Sequence, residues 1–466
     1  MKIKQIAAFA IGPMGAALLG FIAVPIIAWF FTPEDIGRIS MLQVTVSFGI
    51  LLFSLGLDQA YVREYHDSKN TPQLLKATLL PGFLLLTVTV GFLLLQPGLI
   101  ARLLFDVDSF LLSFFVVVCL LASFISRFFS LILRMEEKGL AFSMSQVLPK
   151  VIFLTLIGIY IFLDLGFTLY HLIAAHVLSI VFVCLIFSWN TRKEWLASLK
   201  TSFDLNKFKE MLAYSLPLIL GGLAYWGLAS VDKIFLRSFS SYEELGIYSV
   251  AVNFASVALI FQSIFTTVWA PTVYKWVSTG EDLEKIHQVT RYVLLCVVLL
   301  FCLAGMLSWI IDFILPQTYH KVRYIVVACL GAPLLYTLSE TTVVGIGVTK
   351  KTLYAMAASI IALFVNVIGN YLLIPRYGAA GAAASTCVAF WFFFFFRTEF
   401  SIFVWRKIPR FYLYFLTFIC VLFAVCVAAW GSSLDGFMIA WPLLLLVSFF
   451  IFKKEVVGIY EYLKNL

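Results

Sequence analysis

Charge is what this chain has least of. Only 12% of its 466 residues are Asp, Glu, Lys or Arg, against 62% that are apolar. A soluble domain usually carries about 25% charged residues, so this composition cannot clothe a water-soluble globule. The gaps between apolar runs are short and leave no room for a sizeable soluble domain. There is no P-loop, and with it no phosphate cradle for an ATPase. No nucleophile elbow and no metal-ligand spacing occur, so no catalytic residues, no metal and no resident cofactor are expected. All eight cysteines (119, 184, 296, 302, 329, 387, 420 and 426) fall inside apolar runs, without a Cys-x-x-Cys. They read as small apolar packers rather than as disulfide partners or metal ligands.

What the chain has in quantity is long apolar runs. Roughly 289 apolar residues supply about 14 spans at about 20 residues each. Fourteen runs can be read along the chain, from 5–31 to 433–452. Run length selects helices, since barrel strands need only about 9–11 residues of alternating pattern. The expected fold class is an all-α polytopic membrane protein with about 14 transmembrane helices. Met1-Lys2-Ile3-Lys4 resembles the start of a signal peptide, but the run continues past Phe30 and reads as a retained first helix. With the N-terminus inside, 26 of the 33 Lys and Arg collect on the cytoplasmic side, Arg127, Lys150 and Arg397 among them. Both termini are then cytoplasmic. The net charge of +8 follows from this orientation and from contact with anionic lipid heads. It needs no nucleic acid.

An echo inside the chain gives its organisation. Thr32-Pro-Glu-Asp-Ile-Gly-Arg-Ile-Ser40 reappears in outline as Ser241-Tyr-Glu-Glu-Leu-Gly-Ile-Tyr-Ser249, about 209 positions later. A second echo pairs Lys138-Gly-Leu-Ala-Phe with Lys351-Thr-Leu-Tyr-Ala at nearly the same offset. Two related multi-helix halves in a membrane are the mark of an alternating-access transporter. The division expected is a six-helix lobe over 1–190, a cytoplasmic interfacial linker over 191–210, a second six-helix lobe over 211–405, and two extra helices with a tail over 406–466. The linker interleaves Trp189, Trp195, Leu199 and Phe203 with Arg192, Lys193 and Lys200. It either lies on the inner leaflet or is an ordinary charged connection. Pro375 and Gly378 mark a sharp turn into the small-residue face that starts at Ala379.

Four stretches carry a family resemblance: Pro33-Glu-Asp-Ile-Gly37; Gly56-Leu-Asp-Gln-Ala-Tyr-Val-Arg-Glu-Tyr65; Ser215-Leu-Pro through Ser230-Val-Asp-Lys233 to Leu245-Gly-Ile-Tyr-Ser249; and Leu373-Ile-Pro-Arg-Tyr-Gly378-Ala-Ala-Gly381. Together they resemble the polysaccharide-export (Wzx-type) flippases of the MATE-like multidrug/oligosaccharidyl-lipid/polysaccharide superfamily. The resemblance implies transbilayer movement of an undecaprenyl-diphosphate-linked oligosaccharide, an O-antigen or capsule/exopolysaccharide repeat unit, from the inner to the outer leaflet of a bacterial inner membrane. It implies membrane lipids, polysaccharide polymerase and chain-length machinery as partners. The sugar stays open, as does the choice between proton and sodium coupling. A cation-coupled multidrug exporter of the same superfamily is the alternative. A membrane polymerase or ligase is disfavoured by the absence of a large outer loop.

A cargo with an anionic diphosphate asks for cationic groups within or at the ends of spans. Asp58 and Arg63 stand near the cytoplasmic end of span 2, and the matching positions of span 8 carry no charge. Asp232, Lys233 and Arg237 stand at the outer end of span 7, where span 1 is apolar. Each group reads either as a phosphate site or as an interfacial charge cluster. Arg127 in span 4 maps through the repeat onto Glu340 in span 10, so the two are expected to form part of a cytoplasmic-side gate or cargo site, or else to sit separately at the interface or pair within their own lobes. Asn253, Asn366 and Asn370 are candidates for a polar cavity, or for contacts between helices.

Overall fold

A computed structural model describes residues 3–280, 284–431, 433, 439–453, 455 and 457, and every regular element among them is a helix. The chain divides into two compact units, Met1–Gly227 and Leu228–Leu466. The first holds α1 (Ile3–Phe30), α2 (Pro33–Phe53), α3 (Leu57–Glu64), α4 (Thr71–Leu94), α5 (Leu99–Phe105), α6 (Phe110–Met135), α7 (Gly139–Phe162), α8 (Leu169–Asn190), α9 (Arg192–Lys200) and the start of α10 (Leu205–Phe239). The second holds the rest of α10, then α11 (Tyr242–Ala255), α12 (Ala258–Thr279), α13 (Glu284–Leu307), α14 (Ile311–Ile314), α15 (Val322–Val348), α16 (Leu353–Tyr377), α17 (Ala379–Val404), α18 (Phe411–Trp430) and α19 (Ala440–Ile451). The unit boundary therefore falls inside a 35-residue helix.

Twelve helices among the described residues are long and apolar enough to cross a membrane. Helices α11 and α12 reach that length and apolarity only together, bent by 49° at the break between them, and make thirteen if counted as one span. The last of the fourteen expected runs holds only the 12-residue α19, too short for an untilted span, and residues 434–438 lie outside the described part. The all-helical polytopic class therefore stands, with the span count near rather than at fourteen.

The sequence echo is a pair of helix starts. Thr32 caps α2, its hydroxyl accepting from the Asp35 N–H at 3.2 Å, with Pro33 in the first turn. Ser241 caps α11 in the same way, accepting from the Glu244 N–H at 3.2 Å. An oxygen at the cap and an acid three residues on are what a helix N-terminus requires, because its first N–H groups have no partner in the helix.

In the first unit α6 is the central helix. Leu112, Val116, Cys119, Phe124, Phe128 and Ile132 are buried along it, facing the neighbouring helices of that unit. In the second unit α15 and α17 are the most covered. A hydroxyl pair, Thr342 Oγ1 to Thr398 Oγ1 at 2.7 Å, joins them in the interior. Between α16 and α17, a Cβ on Gly381 would come within 2.6 Å of the Leu373 backbone. Small residues let backbones approach where water supplies no driving force. Helix α16 runs through Pro375 and stops at Gly378 (φ 53°), so of the two residues expected to break it only the glycine does.

Segment 191–210 is tied to the first unit. Helix α9 lies along α4, with Lys76 Nζ donating to the Thr201 carbonyl at 2.6 Å and Thr71 Oγ1 to Glu194 Oε2 at 3.1 Å. Leu199 remains exposed on it, as does Trp189 at the end of α8. All eight cysteines are free thiols.

Candidate functional site

Span 2 does not reach Asp58 as one helix. It ends at Phe53, and Leu55 (φ 52°) and Gly56 (φ 66°) turn the chain through the left-handed region into α3. Gly56 is required twice over. Its backbone sign suits glycine, and an added Cβ would meet the Ser215 carbonyl of α10 at 2.8 Å. The turn places Asp58 in the first turn of α3, where the helix dipole favours an anion. Arg127 of α6 donates to one oxygen of this carboxylate through Nη2 (2.7 Å) and Nε (3.2 Å). The Asp58 side chain is only 11% exposed, while that of Arg127 is 39% exposed. The carboxylate thus anchors an arginine whose side chain keeps part of its surface open. Nearby in sequence, Arg63 stacks 4.1 Å above the Tyr214 ring and lies 3.7 Å from Glu64.

In the second unit Glu340 of α15 pairs with Arg397 of α17 at 2.8 Å, and Arg397 also donates to Ser339 Oγ at 2.6 Å. The pair is enclosed at 15% and 11% exposure, with Phe393 under the guanidinium at 4.8 Å. The expected Arg127–Glu340 pair is therefore replaced by a partner for each within its own unit, the reading left open beside it. The reason is distance along neighbouring helices. Asp58 on α3 and Arg397 on α17 each meet a group of opposite charge on another helix of the same unit, a pairing that repeat register cannot display.

The structure joins three other expected residues. Asp232 of α10 is 2% exposed, about 10 Å before the end of that helix. Tyr248 of α11 and Thr386 of α17 donate their hydroxyls to Asp232 Oδ2, the latter at 3.3 Å, and the Lys233 N–H donates to Oδ1 at 2.9 Å. Thr386 in turn accepts from Asn366 Nδ2 at 3.3 Å, and Asn366 Oδ1 accepts from Asn370. Both asparagines are fully buried on α16, and Asn370 Oδ1 has no donor. The carboxylate is thus held by hydroxyls and amides, with a spare acceptor oxygen close by in the same network. An anion so enclosed in hydrocarbon calls for a compensating positive charge, and the ammonium of the next residue, Lys233, supplies one from nearby. The surrounding oxygens suit a proton or a small hard cation.

Other candidates fall outside this network. Arg237 donates to Tyr242 Oη at 3.2 Å, and Asn253 donates to the Ser249 carbonyl of its own helix at 2.9 Å. At the end of the second unit that carries the α11 cap, Glu244 binds Lys321 Nζ at 2.7 Å and accepts from the Ala379 N–H at 2.8 Å. That cluster ties α11 to the start of α17, and the bond with Glu244 raises the Lys321 ammonium above its ordinary value.

Sequence reasoning did not single out Tyr248, Thr386 or Arg397. Thr386 has no signal in an apolar run and Tyr248 shows only as a position of the repeat, whereas Arg397 stands inside the apolar run 379–402 and counts among the cytoplasmic cations. Lys150 was assigned likewise, yet it is the twelfth residue of the 24-residue α7. Its place within the run 140–163 was the available signal.

Helices that cross a bilayer repeatedly, with ion pairs and a closed polar network held inside them, define a polytopic membrane transporter. More particularly, the chain belongs to the polysaccharide biosynthesis protein family, whose pattern matches residues 3–277. A capsular polysaccharide biosynthesis protein, CapF of Staphylococcus aureus, is 24% identical over 390 residues, covering 80% of this chain and 92% of CapF. A probable low-salt glycan biosynthesis flippase, Agl15 of Haloferax volcanii, is 22% identical over 233 residues; that match spans 49% of this chain and 47% of Agl15. Among solved structures, the lipid II flippase MurJ in an inward closed conformation superposes with a TM-score of 0.68 at 14% identity, over 96% of this chain and 99% of MurJ. A multidrug resistance MATE family transporter in an inward-facing conformation gives 0.54 at 16% identity, over 84% of this chain and 95% of its own. At such identities the likeness is one of fold. The resemblance to Wzx-type flippases is borne out.

Proposed function

We propose that this protein moves an undecaprenyl-diphosphate-linked oligosaccharide from the inner to the outer leaflet of a bacterial inner membrane by alternating access, with both termini cytoplasmic. The observation that carries the reading is Arg127, a cation inside a membrane helix, held by Asp58 and with part of its side chain open. An arginine at the centre of a span costs about 2.5–3.5 kcal/mol on insertion scales, and such residues mark transport paths. An anionic headgroup has a use for that open surface. Arg63 is the second cation offered to it. Membership of the polysaccharide biosynthesis family supports a glycan-bearing cargo, and polysaccharide polymerase and chain-length machinery are the proposed partners downstream.

Coupling to a proton or sodium gradient is assigned to Asp232, with Tyr248, Thr386, Asn366 and Asn370 around it. Entry of the cation neutralises the carboxylate, and its loss leaves the charge to be balanced by Lys233 alone, which gives the ion a hold on the packing of α10, α11, α16 and α17. The same carboxylate is the observation that favours a second reading, a cation-coupled multidrug exporter.

One experiment separates the two. Purified protein is placed in proteoliposomes with a lipid-linked oligosaccharide from its host, and translocation is followed by lectin accessibility under proton or sodium gradients. Protein-dependent movement that is lost in Arg127→Ala supports the flippase. Failure under both gradients, together with drug antiport, sinks it.

A further inference from the structure

A lysine stands, half-buried, at the middle of an apolar helix of the first unit. Lys150 is 11 residues from the start of α7 and 12 from its end, about 17 Å and 18 Å at 1.5 Å per residue. Its ammonium donates to the Ala16 carbonyl of α1 at 2.6 Å, and Ala16 is itself at the midpoint of that helix. Gly20, one turn on, makes the room: an added Cβ there would lie 2.6 Å from Lys150 Nζ. No carboxylate comes within 4.0 Å of the ammonium among the described residues. Arg127, Arg397 and Lys321 all have acidic partners; Lys150 rests on a neutral carbonyl.

That arrangement is costly for structure alone. A charged group at mid-membrane depth costs a few kcal/mol, and an uncompensated one is functional by default. One hydrogen bond between membrane helices returns about 0.6 kcal/mol, far less than the charge costs. The Ala16 carbonyl moreover lies in a helix, where the Gly20 N–H four residues on is its ordinary partner, so the ammonium can leave it without stranding a buried acceptor.

We infer that Lys150 is the mid-membrane contact for the diphosphate of the transported lipid, parked on the Ala16 carbonyl until the anion arrives. The inference rests on the flippase reading and adds to it a halfway station. Asp58-bound Arg127 receives the headgroup, and Lys150 supplies the compensating charge at the depth where an unpaired diphosphate is least stable. Lysine suits this role because its ammonium is a point charge on a flexible stem.

The test uses the full-length protein in detergent with farnesyl diphosphate as probe, followed by quenching of tryptophan fluorescence. Farnesol and inorganic pyrophosphate serve as comparisons. Lys150→Met is expected to weaken farnesyl diphosphate at least tenfold and to leave farnesol unchanged. Lys150→Arg is expected to stay within about threefold of the parent, because it keeps the charge. Equal diphosphate affinity in the parent and Lys150→Met overturns the role of Lys150 while leaving the flippase intact. Loss of farnesol binding together with the diphosphate in Lys150→Met, or a Lys150→Arg as weak as Lys150→Met, reveals a structural pin and also overturns it. Inorganic pyrophosphate binding as tightly as the farnesyl compound makes the ligand an aqueous anion and removes the lipid assignment. A parent protein that binds no diphosphate at all removes the cargo reading itself.

Discussion

Replacing Arg127 by Gln tests whether the Asp58 site is built as described. The change strands a carboxylate whose side chain is 11% exposed. A hydrogen bond involving a charged group contributes about 1.5–3 kcal/mol. Both Arg127 nitrogens reach the same Asp58 oxygen, so they count as one strong interaction rather than two. Against the loss, the N-terminus of α3 still favours the anion by about 0.3–1 kcal/mol. The expected net cost is about 2 kcal/mol. For a unit of this size that is a fall of roughly 4–8 °C in Tm, at about 2–4 °C per kcal/mol. Asp58→Asn should cost less, about 1 kcal/mol, because the Arg127 side chain is 39% exposed and can turn to water. The double variant should be milder than the sum of the two by about 1 kcal/mol, since the second change removes nothing that the first left intact. Thermal unfolding of the four purified proteins, followed by intrinsic fluorescence, measures all of this. Strictly additive shifts would refute the pairing. In transport the two variants should part company: Asp58→Asn keeps the cation and retains some translocation, whereas Arg127→Gln has none.

Other outcomes follow from the second unit and from the turn at Gly56. Glu340→Gln should destabilise more than Asp58→Asn, by about 3 kcal/mol, because Arg397 is 11% exposed and has no water to turn to; a Tm within 2 °C of the parent would contradict that. Asp232→Asn should keep the fold, since the amide can still accept from Tyr248 and Thr386, yet make translocation indifferent to proton and sodium gradients; flux assays under each gradient decide it. The Lys321–Glu244 pair contributes stability below the ordinary lysine value near pH 10.5, because Glu244 raises the folded-state value, and loses it as pH climbs past that raised value. Glu244→Gln should therefore lower Tm at pH 8 and flatten its decline above about pH 10.5; an unaltered alkaline decline tells against the pair. Gly56→Ala should cost about 1–3 kcal/mol, from a φ of 66° and a Cβ 2.8 Å from the Ser215 carbonyl, and a melting curve identical to the parent's would dismiss the turn.

Periodicity, charge and repetition by themselves determined the membrane setting, the helical class and the two-fold echo of the chain. Spans are legible because a bilayer leaves one solution for a run of about 20 apolar residues. The echo proved to be two helix caps, Thr32 and Ser241, a local chemistry that reads straight off four residues. The resemblance to oligosaccharide flippases was equally available from short stretches, and so were Asp58, Arg127, Asp232 and Glu340 as charges out of place in apolar runs. Their partners were not. Arg127 has Asp58, 69 positions away, and Asp232 has Thr386, 154 positions away. Those separations carry no periodic signal, because the rotation and depth of each helix are decided by packing against its neighbours. The break at Leu55–Gly56 aims Asp58, and the gap at Gly20 lodges Lys150 against α1 in mid-membrane rather than at the cytoplasmic edge. A charge is visible in one dimension; which charge compensates it is a property of helices already packed, and only the tertiary structure decided that.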